Sequence, residues 1–176
     1  MYPYCKESAF TLLELLISIA ILAITATIAV PSFHSFRENQ EVSQLLPSIR
    51  QYVNLSKSLA LTYRTQIVMC SSSDSQQCAD HQWDKGIIIF SDVNKNKQRD
   101  ASEIIYKKIL RDIQYGTLAW KGGASNIETI TFQSDTGLPR GSPGAFYYCS
   151  FKHPQNHRYI PISQMGHTRI EHTTKC

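Results

Sequence analysis

An unbroken apolar run near the N-terminus constrains this chain more than any other feature. Between Phe10 and Val30 the only charged residue is Glu14. At about 1.5 Å of rise per residue the run makes a helix of roughly 30 Å, enough to cross the hydrocarbon core of a bilayer. An ionised carboxylate at that depth costs at least ~2.5 kcal/mol, so Glu14 needs a partner. The run is too long for the core of an ordinary secretory signal, and Thr27-Ile28-Ala29 is a weak signal-peptidase site. A plain membrane anchor accounts for the length but not for Glu14.

The stretch Lys6-Glu7-Ser8-Ala9-Phe10-Thr11-Leu12-Leu13-Glu14-Leu15-Leu16 resembles the class III signal of type IV prepilins. That signal has a short leader, a cut before an aromatic residue, Thr-Leu, then Glu-Leu near the start of a long helix. The resemblance implies that a membrane aspartyl peptidase, the prepilin peptidase, cuts between Ala9 and Phe10 and methylates the new amino group of Phe10. The family usually has Gly before the cut, where this chain has Ala9. Pro31 falls where the family has a helix-kinking proline. By the same resemblance, Glu14 pairs with the N-terminal ammonium of Phe10 on a neighbouring subunit and sets axial register during assembly.

The chain has 176 residues and a formal net charge of +4. A helix of about 50 residues leaves roughly 110, which suits one small domain with its own core. Of five cysteines, Cys5 would leave with the leader. Cys70, Cys78, Cys149 and Cys176 remain, an even set that in an exported chain reads as two disulfides with three possible connectivities. The spacing favours Cys70–Cys78, closing a short polar loop, and Cys149–Cys176, pinning the C-terminus.

Past Pro31 the pattern stays helical but turns one-sided. Val42, Leu45, Leu46, Ile49 and Val53 recur at i, i+3, i+4, i+7 spacing, with Leu59 and Tyr63 on a neighbouring stripe. Pro47 should bend this helix or loosen one turn. The helix should end near Tyr63 or Arg64. Strands are expected over Gln66–Cys70, Gly86–Ser91, Ile104–Leu110 and Ile127–Gln133. A hairpin of Ala145–Lys152 with Arg158–Ile162 and a last short strand at Thr168–Glu171 should follow. No element is assigned between Leu110 and Ile127. The division is a leader at 1–9, a membrane or filament-core helix at 10–30, its amphipathic continuation at 31–64 and a β-rich head at 65–176.

Trp83, Gly86-Ile87-Ile88-Ile89-Phe90-Ser91-Asp92, Asn96, Asp100 and Glu103 resemble the GspH/FimT group of minor pilins and pseudopilins. So do Ile130-Thr131-Phe132, Gly137 and Phe146-Tyr147-Tyr148-Cys149. The resemblance implies an α+β pilin fold, a long N-terminal helix packed on a mainly antiparallel β-sheet. It implies a minor type IV pilin held in the inner membrane, its C-terminal domain periplasmic, and then drawn into a pilus by packing against other pilin helices. Ala20, Ala23, Ala26 and Ala29 permit close helix approach. A minor pseudopilin of a type II secretion system is the alternative within the family.

Asp92 to Glu103 approaches a twelve-residue calcium loop, with Asp92, Asn94, Asn96, Asp100 and Glu103 offering oxygens. Lys97 stands where such a loop needs Gly, and Lys95 and Arg99 add positive charge. A polar β-turn is the competing reading, and a membrane-anchored calcium-binding module is the second functional alternative. From Arg140 onward the cations Arg140, Lys152, Arg158, Arg169 and Lys175 face Glu171 alone, so this segment carries the whole net charge. Aromatics and four histidines lie among them, a mixture that can hold phosphates and stack on bases. Gly166-His167-Thr168-Arg169 resembles the Gly-Arg-x-Arg tail motif of DNA-binding FimT-type pilins, with His167 in place of the first arginine. DNA taken up by the cell is therefore a further expected partner. Nothing in the chain has the pattern of a catalytic site, and the reading calls for no enzyme activity, cofactor or resident metal.

Overall fold

The structure, a computed structural model, describes residues 11–123 and 128–176. Ala9, Phe10 and the side chain of Pro31 lie outside the described residues, as does the start of the strand expected at Ile127. One helix, α1, spans Leu12–Tyr63. Thr11 caps it, its hydroxyl accepting from the Glu14 backbone N–H at 3.2 Å. Arg64 takes a left-handed φ of 49°, which a helix cannot continue through, and ends it.

The chain forms two compact units, Met1–Asn39 and Gln40–Cys176. In the first, the apolar part of α1 is long and apolar enough to cross a membrane, with a mean hydropathy of 2.4. The hydroxyls of Ser18, Thr25 and Thr27 are satisfied within the helix. Ser18 donates to the Glu14 carbonyl, Thr25 to that of Ile21 and Thr27 to that of Ile24. Hydroxyls bonded back in this way leave little polarity to solvate in lipid.

In the second unit, Ala60 of α1 is buried, Leu59 is half-buried and Tyr63, expected on the neighbouring stripe, is exposed, while α1 buries Val42, Leu45, Leu46, Ile49 and Val53, the stripe its spacing predicts. Each such side chain contributes roughly 1.5–3 kcal/mol of apolar burial. The helix runs on through Pro47 unbroken, in place of the expected bend or loosened turn. Pro47 faces solvent, so the carbonyl it leaves without an N–H partner can bond water.

Two four-stranded sheets, antiparallel throughout, complete this unit. The first has the order β3-β2-β1-β5, with β1 at Gln66–Ser71, β2 at Gly86–Asp92, β3 at Ile105–Leu110 and β5 at Thr129–Phe132. The second has the order β4-β6-β7-β8, with β4 at Gly116–Gly122, β6 at Gly144–Ser150, β7 at Arg158–Ile162 and β8 at Glu171–His172. The sequence reading expects a single sheet and no β4. That strand offers only Leu118 and Trp120 as large inward residues between glycines at each end, too short an alternation to stand out.

β1 and β2 are buried along their whole length because both faces are covered. Ile67, Met69, Ile87 and Ile89 join the main core, while Val68, Cys70, Ile88 and Phe90 form a second cluster with Cys78 and Ile105. The Cys70–Cys78 disulfide holds the loop beside that second face. Asp74 organises the same loop. Backbone N–H groups of Gln77 and Gln76 hold its carboxyl below the ordinary range. Cys149 joins Cys176, closing a separation of 27 residues and tying the C-terminus to β6. In the chain-entropy view such a closure is worth about 3–4 kcal/mol.

At the centre of the main core Phe146 packs between Trp83, at 4.9 Å, and Trp120, at 4.8 Å between ring centroids. Phe146→Ala should lower the unfolding free energy by about 3–5 kcal/mol. Denaturant titration followed by tryptophan fluorescence checks this, and a loss below about 1 kcal/mol would mean that the aromatic cluster does not carry the core.

Candidate functional site

The first site is the start of α1. Thr11 and Glu14 have the Ser/Thr-x-x-Glu spacing of a helix start, and the hydroxyl of Thr11 satisfies one N–H of the first turn. Glu14 is exposed, as are Leu12, Leu13, Leu15, Leu16 and Ile17 around it. Among the described residues no cation pairs with Glu14. The geometry is an acid near the start of an exposed apolar helix.

The second candidate, Asp92 to Glu103, is organised around its own carboxylates. Asp92 is 1% exposed. Its Oδ1 accepts from the backbone of Asn96 at 3.1 Å, and its Oδ2 from that of Lys97 at 3.0 Å and from the Gln66 amide at 2.8 Å. Glu103 accepts from the backbone of Val93 and Asp100. Asp100 accepts from the side-chain amides of Asn94 and Asn96. All three carboxylates thus accept internal donors, which a polar turn also requires. Lys95 and Lys97 adopt positive φ, at 61° and 62°, the local geometry of a tight polar turn. Among the described residues no group of three or more His, Cys, Asp or Glu is placed to hold a metal ion.

The C-terminal cations do not share one face. Arg140 lies exposed in the Pro139–Ser142 turn and Lys152 in the turn after β6. Arg158 turns its guanidinium onto the carbonyls of Gln155 and His157, at 2.6 and 2.9 Å. Arg169 sets Nε 3.2 Å from Glu171 Oε1. Only Arg169 and Lys175 border the outer face of the second sheet, where Tyr147 stands directly across from Tyr159. Their rings are 5.1 Å apart, and the Lys121 ammonium lies 4.7 Å from the centre of the Tyr147 ring. Lys121 is absent from the sequence-derived set because β4, which carries it, has so weak a pattern.

Glu41 is a second residue that sequence reasoning misses. It lies on α1 just before the buried stripe. Its Oε1 accepts from the Tyr148 hydroxyl at 3.0 Å and the Tyr115 N–H at 3.3 Å, and its Oε2 from the Gln114 N–H at 2.8 Å. One carboxylate so joins the helix to β6 and to the turn that opens β4. In the sequence it is one charged residue among several on a polar face, and only the fold brings its three donors together.

The family described as Type II transport protein GspH matches residues 48–166. The prokaryotic N-terminal methylation motif matches residues 5–30. No curated protein matches the chain. Two crystal forms of the type IV minor pilin FimU from Pseudomonas aeruginosa are similar in fold. The first is 22% identical with a TM-score of 0.56, covering 77% of this chain and 92% of FimU. The second is 20% identical with a TM-score of 0.50, covering 76% and 91%.

The bonding of Asp92 yields a direct test. Asp92→Ala should destabilise the chain by roughly 2–3 kcal/mol, because buried donors lose their acceptor. Calcium chloride at about 1 mM, a concentration that fills even weak extracellular sites, should leave the unfolding midpoint of the unaltered chain where it is. A calcium-dependent rise in that midpoint would restore the metal reading.

Proposed function

The chain belongs to the GspH family of type II transport proteins, and from that premise we propose that it is a minor pilin of a type IV pilus. In this reading residues 1–9 are removed, Phe10 becomes the methylated N-terminus, and the apolar part of α1 waits in the inner membrane with the C-terminal unit in the periplasm. Assembly moves that rod from lipid into a bundle of like helices made by other pilins. Glu14 supplies selectivity. An acid left unpaired in an apolar medium costs at least ~2.5 kcal/mol, and the freed ammonium of a neighbouring subunit removes that cost. The observation that carries the reading is Glu14 alone in a bare apolar helix, one turn after a capping threonine.

A pseudopilin role in a type II secretion system is the second reading, favoured by the match to a family of type II transport proteins. The two share the helix and the processing, and differ in the filament that the protein joins. Affinity purification of the protein from its host, followed by identification of the co-purified pilins, decides between them.

DNA capture is a finer reading of the same protein. Its support is the charge of residues 140–176, with Arg169 and Lys175 beside the half-buried Tyr147 and Tyr159. If it is right, the full-length protein in detergent binds labelled duplex DNA with an affinity that falls steeply as salt rises. Arg169→Gln with Lys175→Gln should weaken it about tenfold or more. Absent or salt-insensitive binding rejects it.

For assembly the test is mass spectrometry of protein from its native host, which should show an N-methylated Phe10 as the first residue. A protein beginning at Met1, or beyond Ala29, overturns the reading. Glu14→Ala should still insert and be cut, yet enter filaments at least about tenfold less, as expected from losing a pair worth ~2.5 kcal/mol.

A further inference from the structure

Filament assembly through α1 makes no use of the outer face of the second sheet, whose chemistry is specific. A groove of about 860 Å³ runs along it. Tyr147 and Tyr159, each half-buried, form its floor, with their rings tilted at 53° to one another. Lys121 and Arg169 both line the groove, on strands β4 and on the segment just before β8. Glu171, paired across β7–β8 with Tyr159, holds Arg169 by its Nε.

We propose that this groove binds an acidic glycan, a sugar chain that carries carboxylates at intervals. Three observations select that chemistry. First, the aromatic floor presents electron-rich ring faces, against which the C–H face of a sugar ring packs. Second, Lys121 and Arg169 supply the ammonium and the forked guanidinium that carboxylates bind. Third, Glu171, although outside the lining of the groove, adds an acceptor-only group beside Arg169. Sugar hydroxyls can donate to it.

A nucleic acid fits the same groove less well. It carries a negative charge on every unit and would meet Glu171 with repulsion. The tilt of the two rings offers no parallel slot for a flat base. The groove therefore matches a ligand of sparse charge and many hydroxyls. This inference shares Arg169 and the tyrosines with the DNA reading, and the two differ in the ligand charge that each requires.

The experiment uses full-length protein in a detergent without sugar headgroups. It is titrated with a hyaluronan hexasaccharide, the same hexasaccharide with its carboxylates reduced to alcohols, and a single-stranded oligothymidine. The acidic hexasaccharide should bind saturably, and the reduced one about tenfold more weakly. Tyr159→Ala should weaken the acidic sugar about tenfold. Lys121→Gln, at an exposed position, should narrow the difference between the two sugars, with Arg169 keeping part of it. Glu171→Gln should weaken the sugar and strengthen the oligonucleotide. Equal binding of the two sugars by the unaltered protein, no sugar binding, or tighter binding of oligothymidine than of the acidic sugar overturns the proposal. So does indifference to Lys121→Gln, a variant that leaves the core untouched.

Discussion

A chain segment that enters a bilayer must satisfy its backbone hydrogen bonds internally, and only a helix does so within one segment. That constraint is set at Thr11, and α1 carries it forward without interruption to Tyr63. The same helix meets two different solvents. Its first part is apolar on every side, with hydroxyls bonded back to the helix. From Val42 onward the apolar residues narrow to one stripe, and that stripe is the surface on which the C-terminal unit is built. Turning from an all-round to a one-sided pattern within one continuous helix lets a single element serve both as membrane rod and as core.

The two sheets join that stripe by different means. The first has strands buried on both faces, so its apolar runs are continuous and its outer cluster lies beside a loop closed by Cys70 and Cys78. The second alternates. Leu118, Trp120, Phe146, Tyr148 and Ile160 point inward, while Lys121, Tyr147 and Tyr159 line the outer face. Its hold on the helix includes a polar element, since Glu41 accepts from Tyr148 and from the turn before β4. Its far end is tied by Cys149–Cys176.

The legible parts of the sequence are those in which neighbours along the chain settle the physics. The helical stripe at Val42–Val53 and the run Gly86–Ser91 come from local periodicity, and the structure has a helix and a strand there. β4 is not legible, because two large inward residues between glycines make no distinct period. The Asp92–Glu103 loop is legible as oxygen-rich but not as to its use. A metal site and a self-bonded turn need the same residue types, and only the backbone path shows the carboxylates engaged by Asn96, Lys97, Val93 and Asp100. The C-terminal cations read as one charged segment, yet strand pairing sends Arg158 and Arg169 to different partners.

The order of residues alone determined that this chain has a helical stretch long and apolar enough to enter a membrane, one acid near its start, and an N-terminal methylation motif. Transfer from water to lipid depends on composition over one helical stretch, so no distant contact enters that decision. Tertiary structure alone decided which face carries Lys121, Tyr147, Tyr159, Arg169 and Glu171 together, and that Glu41 meets its three donors. Those groups lie far apart in sequence, and their chemistry exists only once antiparallel pairing has brought them within a few ångströms of one another.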